Sequence, residues 1–190
     1  MKIGLFFGSF NPFHSGHLII ANTILNTGSV EKIWFVVSPQ NPFKQAGGLA
    51  DEKIRLEMVN AAVEKDKRLK CSGIEFEFPR PSYTITTLQQ LQEKYHKHQF
   101  SLIVGSDSYE QLPSWKEGAL IAKMLPIIVY QRPGHLASAE QPANVSIVSA
   151  PLLDISSTTI RALVATGKSI RYLVPEPVNK IIRKKRLYRK

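Results

Sequence analysis

The sequence predicts an α/β fold: a doubly wound, mainly parallel sheet with helices on both faces. Three observations carry that expectation. Short apolar, β-branched runs recur along the chain. They alternate with stretches whose apolar spacing follows the helical period. The strand-like runs also show little polar alternation, as strands buried on both faces do. Together these imply βαβ units, right-handed crossovers and a parallel sheet.

Lys2–Phe7 (KIGLFF) reads as the first strand and Gly16–Leu25 as the first helix. Lys32–Ser38 (KIWFVVS) is the second strand. Asp51–Val63 is a helix with an acidic N-cap. A third strand is expected within Leu69–Phe78, then a helix from Ser82 or Tyr83 to about Tyr95. Phe100–Gly105 and Pro126–Tyr130 follow as strands four and five, with Val145–Val148 as a sixth. One helix starts after Ser156, and the last covers Pro177–Leu187. Open parallel sheets bind ligands beyond the carboxyl ends of their strands. That rule points to the loops after Phe7, Ser38, Phe78, Gly105 and Tyr130. The long Pro39–Ala50 loop suits a flap over such a site.

A chain of 190 residues, 43% hydrophobic, fits one domain with a substantial core. Residues from about 155 to 190 are expected to form a small C-terminal helical part of it. Cys71 stands alone, so no internal disulfide can form, and a reduced, cytoplasmic setting is the default. No apolar stretch approaches the roughly 20 residues of a bilayer span, and no signal-peptide pattern follows Met1. The formal charge is +10, of which seven charges lie in residues 180–190 (KIIRKKRLYRK), leaving +3 elsewhere. Such a tail can bind nucleic acid or anionic lipid, but a solvated helix end is the plainer reading. Cations also suit the negative pole of a helix. Membrane and nucleic acid are therefore disfavoured as partners, while a homo-oligomer stays open.

Between the first strand and first helix lies Gly8-Ser9-Phe10-Asn11-Pro12-Phe13-His14-Ser15-Gly16-His17. A glycine-containing turn running into a helix start is an anion site, because its N–H groups point outward and the helix dipole favours negative charge. Gly16 lets backbone approach a ligand closely. His14 and His17 can donate to phosphate oxygens where transition-state charge develops. Alone, the pair could equally be capping or surface histidines. Two histidines are too few ligands for zinc, and the spacing is not that of a Walker A loop. Near the other end stands Ile155-Ser156-Ser157-Thr158-Thr159-Ile160-Arg161. Ser156 or Ser157 can cap a helix, and Arg161, one turn in, can fork onto the same anion.

With both segments in place, the chain resembles the nucleotidylyltransferase superfamily, whose signatures are G-[ST]-F-x-P-x-H-x-G-H and ISSTxxR. The resemblance implies a Rossmann-like fold and adenylyl transfer from ATP with Mg²⁺. It assigns catalysis to His14, His17 and Arg161. It places ATP at Gly8, Ser9, Phe10, His14, His17, Gly105, Asp107, Arg132 and Ile155 through Thr158, with Arg161.

The middle of the chain narrows the acceptor. Pro81–Leu88 reads PSYTITTL, Gly105–Trp115 reads GSDSYEQLPSW and Arg132–Gly134 reads RPG. These look like the bacterial-type nicotinate mononucleotide adenylyltransferases, and the likeness covers nearly the whole chain. It implies nicotinate mononucleotide as partner to ATP, held by Ser9, Phe10, Lys44, Ser82, Tyr83, Thr84 and Trp115. Physically, Trp115 offers a flat face to a pyridinium, or is a core side chain. The amides near Tyr83–Thr84 could receive a carboxylate. Asp107 could accept from a ribose hydroxyl, bind through Mg²⁺, or cap the next helix. Arg132 could lie against adenine or be a turn residue. The chain departs from the pattern at Phe43, where the family often has histidine before Lys44, and at Phe13, where proline is common. Nicotinamide mononucleotide and phosphopantetheine remain alternative acceptors, and a non-catalytic nucleotide- or RNA-binding protein a distant one.

The reaction that follows is attack of the acceptor 5′-phosphate oxygen on the α-phosphorus of ATP, with pyrophosphate leaving. A phosphate dianion is already nucleophilic, so positioning and charge stabilisation suffice.

Overall fold

A computed structural model describes residues 1–39, 48–132, 142–151 and 153–189. Six strands form one sheet: β1 (Lys2–Gly8), β2 (Lys32–Val37), β3 (Leu69–Ser72), β4 (Gln99–Gly105), β5 (Ile127–Tyr130) and β6 (Val145–Val148). All pairings are parallel, in the order β3-β2-β1-β4-β5-β6. The chain winds outward from β1 to β3, then returns to lay β4 on the other side of β1. The switch point is therefore between β1 and β4, where such a sheet opens a crevice.

Alternate side chains of each strand feed two cores. Phe6, Ile33, Phe35 and Ile128 pack on one face with Ala21 and Ile24 of α1 (Ser15–Asn26) and Met58 and Val59 of α2 (Glu52–Val63). Ile3, Leu5, Trp34, Leu102 and Val129 pack on the other with Ile85, Leu88 and Leu91 of α3 (Thr84–Lys94). Two-sided burial is why these runs lack alternation in the sequence.

The elements match the expected ones closely. The acidic cap is present: Asp51 Oδ1 accepts from the amides of Lys53 and Ile54. The third strand is shorter than its expected window. It stops at Ser72, and Ile74–Glu77 turns into a 3₁₀ segment that buries Ile74 and Glu75. The site loop on that side thus begins after Ser72 and not after Phe78. Two short helices were not among the expected elements, α4 (Ser106–Glu110), which only the cap reading of Asp107 hinted at, and α5 (Gly118–Met124). Each is too brief to show a helical period.

The C-terminal helices α6 (Ser157–Ala165) and α7 (Glu176–Lys184) cover the first core. Ile160, Ile170, Val174, Val178 and Ile182 are buried in it. α7 ends at Lys184, three residues before the expected Leu187. The tail beyond it is not wholly solvated: Leu187 and Tyr188 pack against the core while Arg186 and Arg189 stay exposed.

Candidate active site

The first motif folds into a tight turn capped by α1. His14 is the N-cap, in extended conformation. Its amide donates to Nδ1 of His17 at 3.1 Å, so the neutral His17 ring carries its proton on Nε2. The two rings stack at 3.7 Å between centroids. Phe13 stacks on the far face of His17 at 5.0 Å, and Phe10 meets its edge at 5.0 Å. The aromatic at position 13, a departure in sequence, is thus a wall of the histidine pair. Phe10 and Phe13 are buried, and Phe10 sits at a positive φ of 46°. Gly16 clears the partner ring: a Cβ there would lie 3.0 Å from His14 Nδ1. That Nδ1 is buried without a hydrogen-bond partner. Burial, with Arg132 adding repulsion, pushes the His14 imidazole down to about 4, so it is neutral at pH 7.

The second motif faces the first across about 150 residues of sequence. Ser156 caps α6 by accepting from the Thr159 amide at 3.1 Å. Ser157 Oγ donates to the Pro12 carbonyl at 2.9 Å, and Arg161 Nη1 to the Asn11 carbonyl at 2.8 Å. Arg161 Nη2 reaches Thr158 Oγ1 at 3.2 Å. The Ser157 hydroxyl is therefore spent on joining the motifs, which leaves its amide for an anion. Ile155, His14, Gly16, His17 and Arg132 line one small cleft.

Arg132 bonds Asp107 Oδ2 at 3.0 Å, and its amide donates to Ser106 Oγ. Asp107 does not cap α4; Gly105 holds the cap position, and Asp107 lies in the first turn. Its Oδ1 is buried with no hydrogen-bond partner, an acceptor left for a hydroxyl.

A cavity of about 140 Å³ opens at the β1–β4 switch point. Gly8 and Gly105 form its floor at the strand ends, and Ser82, Tyr83, Thr84 and Trp115 form its walls. Tyr83 is the N-cap of α3, and its side chain accepts no capping hydrogen bond, so the first amides of that helix remain for a ligand. Trp115 is half-buried and lines the cavity while packing on the second core at its edge. The Ser82 hydroxyl is not available, since it donates to Glu75 Oε2 at 2.9 Å.

Two residues of this cavity escaped the sequence reading. Glu75 is 2% exposed, takes the hydroxyls of Ser82 and Thr87, and is pushed up by burial. It sat inside an expected strand, which hid it. Lys116 lines the wall with its Nζ 4.3 Å from the Tyr83 ring; being next to Trp115 was its only signal. Arg55 of α2 acts from outside the cavity: it is 1% exposed and donates to the carbonyls of Ser9, Ser38, Pro39 and Ala50. With no carboxylate in those bonds, it ties both site loops to α2. Ser9 keeps its amide side for the crevice because Arg55 holds its carbonyl. Lys44, Phe43 and Gly134 lie outside the described residues, as does most of the expected flap.

A parallel sheet with two phosphate-type motifs meeting at its switch point defines a mononucleotide-binding α/β protein. The sequence pattern of the cytidylyltransferase-like family matches residues 5–163. A relative from Cytophaga hutchinsonii named "Probable nicotinate-nucleotide adenylyltransferase" is 48% identical over 99% of this chain and 98% of its own. One of the same name from Bacteroides fragilis is 43% identical over 95% of this chain and 90% of its own. The chain belongs to this family of cytidylyltransferase-like proteins, beside its nicotinate-nucleotide adenylyltransferases. The fold is shared with a Plasmodium falciparum nicotinic acid mononucleotide adenylyltransferase solved with NaAD, at TM-score 0.81 and 19% identity over 98% of this chain and 97% of that one.

Proposed function

We propose that this protein transfers the adenylyl group of ATP to nicotinate mononucleotide, giving nicotinate adenine dinucleotide and pyrophosphate, in a cytoplasmic step of NAD synthesis. The observation that carries it is the meeting of the two phosphate motifs, through Ser157 to Pro12 and Arg161 to Asn11, beside a cavity with an uncapped helix start and a Trp wall.

The roles follow from position. ATP lies along the cleft of His14, His17, Ile155 and Arg132, with its β- and γ-phosphates at the α6 start under Arg161. Asp107 Oδ1 accepts from a ribose hydroxyl. The pyridine ring enters the 140 Å³ cavity against Trp115. Its carboxylate meets the first amides of α3, with Lys116 close by. This favours nicotinate over the neutral nicotinamide. The acceptor phosphate sits at the Ser9 and Phe10 amides. Its oxygen then bonds to the α-phosphorus as the bond to the bridging oxygen breaks. The Nε2–H of His17 steadies the α-phosphate charge, and neither histidine acts as base or nucleophile. Mg²⁺ neutralises triphosphate charge. Among the described residues no group of three His, Cys, Asp or Glu gathers, and Asp107 already pairs with Arg132, so the ion fits as one carried by the nucleotide with at most Asp107 Oδ1 beside it.

Pyrophosphate release from ATP, measured with nicotinate mononucleotide, nicotinamide mononucleotide and phosphopantetheine side by side, tests this. Nicotinate mononucleotide should give the highest kcat/KM; a faster phosphopantetheine or nicotinamide reaction would overturn the acceptor.

A further inference from the structure

The C-terminal helices border a second cavity, of about 720 Å³ and open to solvent, that the transfer reaction does not use. It lies between the end of α6, the 167–171 turn and α7. Four cations line it: Lys168, Arg171, Arg183 and Arg189. No carboxylate does. None of these four takes part in an ion pair among the described residues; Lys185, which does pair, with Glu57 at 3.3 Å, points elsewhere. Asn179 of α7, 9% exposed as a residue, also lines it, and its side chain makes no hydrogen bond among the described residues.

The end of α6 would ordinarily repel an anion, because helix carbonyls gather there. Here those carbonyls are satisfied: the Lys168 amide bonds Leu163 O at 2.8 Å and the Gly167 amide bonds Val164 O at 3.0 Å, with Gly167 at φ +71°. Two of the end carbonyls of α6 are thus occupied, and the charged side chains of the wall are all cations.

We propose that this cavity is a binding site for an oligophosphate anion, separate from the ATP cleft. Arg171 and Arg183 grip phosphate oxygens as planar forks, Lys168 and Arg189 add charge, and the Asn179 amide supplies the central hydrogen bond. The volume suits a small ligand, within the range of about 300–1,000 Å³ of ligand pockets. Its concavity argues against a membrane surface.

Calorimetric titration of the full chain with inorganic tripolyphosphate and, separately, guanosine triphosphate tests the site. The Arg161→Ala variant should retain this binding. Asn179→Asp, near-isosteric, and Arg171→Ala, at an exposed position, should each weaken it about tenfold or more while keeping the melting temperature and the turnover of the wild type. Tighter binding of the nucleotide would identify a nucleoside triphosphate as the source, and equal binding free oligophosphate; either supports the site. Loss in Arg161→Ala with retention in Asn179→Asp and Arg171→Ala would overturn it. So would a short RNA or phosphatidylglycerol vesicles binding through Arg171 where tripolyphosphate does not.

Discussion

At the scale of single residues, the two histidines divide their work by environment. His17 holds its tautomer through the His14 amide and presents Nε2–H. Its loss removes a transition-state donor, so His17→Ala should lower kcat about 10²–10³-fold with a smaller change in KM for ATP, measured by pyrophosphate release. His14 is different because it is buried and neutral. Its folded pKa is pushed from 6.5 to about 4, so between those values the unfolded chain binds a proton that the folded chain excludes. Stability should therefore fall as pH drops from about 6.5 toward about 4, with a slope of at most ~1.4 kcal/mol per pH unit from this group. Glu75 acts in the opposite sense, since its raised carboxyl favours folding as pH falls. The difference between wild type and His14→Gln isolates the histidine: urea unfolding of the variant should show a shallower loss on acidification. Equal slopes would refute the assignment. Lys116→Met gives a third readout: with its charge beside the carboxylate lost, KM for nicotinate mononucleotide should rise while that for ATP stays unchanged.

At the scale of elements, the short α4–α5 stretch positions Trp115 and Lys116, and it was the part least legible in the sequence. Long buried strands and amphipathic helices announce themselves by period; five- and seven-residue helices do not. Their constraint is a close backbone approach. A Cβ on Gly118 would lie 1.9 Å from the Leu112 carbonyl oxygen, and Glu117 before it has φ 55°. Since the obstacle is backbone, it cannot swing aside. Gly118→Ala should cost about 3 kcal/mol in urea unfolding and raise the acceptor KM more than that of ATP, because the displaced turn carries the Trp wall. The phosphate motifs, by contrast, were readable because their chemistry is local: a turn and a helix start are adjacent in sequence. Glu75 was not, since it lay within an expected strand; nor was the work of Arg55, which acts on Ser9 and Ser38, 46 and 17 residues away.

At the scale of the whole molecule, Asn11 is where the chain's distant parts are tied together. Its carbonyl accepts Arg161, its Nδ2 donates to Gly48 O at 2.9 Å, and its Oδ1 accepts the Ala50 amide at 3.0 Å. The same Oδ1 accepts the Tyr188 hydroxyl at 2.8 Å, across 177 residues. Composition made the tail look like a solvated basic end, because charge dominates its residue count. The structure shows that its one aromatic docks while its charges stay outside. The tail's contribution should therefore depend on the phenol and not on charge. Tyr188→Phe removes one hydrogen bond and should lower stability by about 1 kcal/mol. It should also lower kcat/KM about tenfold, because the turn bearing Ser9 and Phe10 loses its fixed position. Lys184→Gln with Arg186→Gln removes two charges near the same end and should leave both quantities unchanged. Melting temperature and kcat/KM measured on the two variants decide the point: activity that followed the charges and ignored the phenol would place the tail outside the site's architecture.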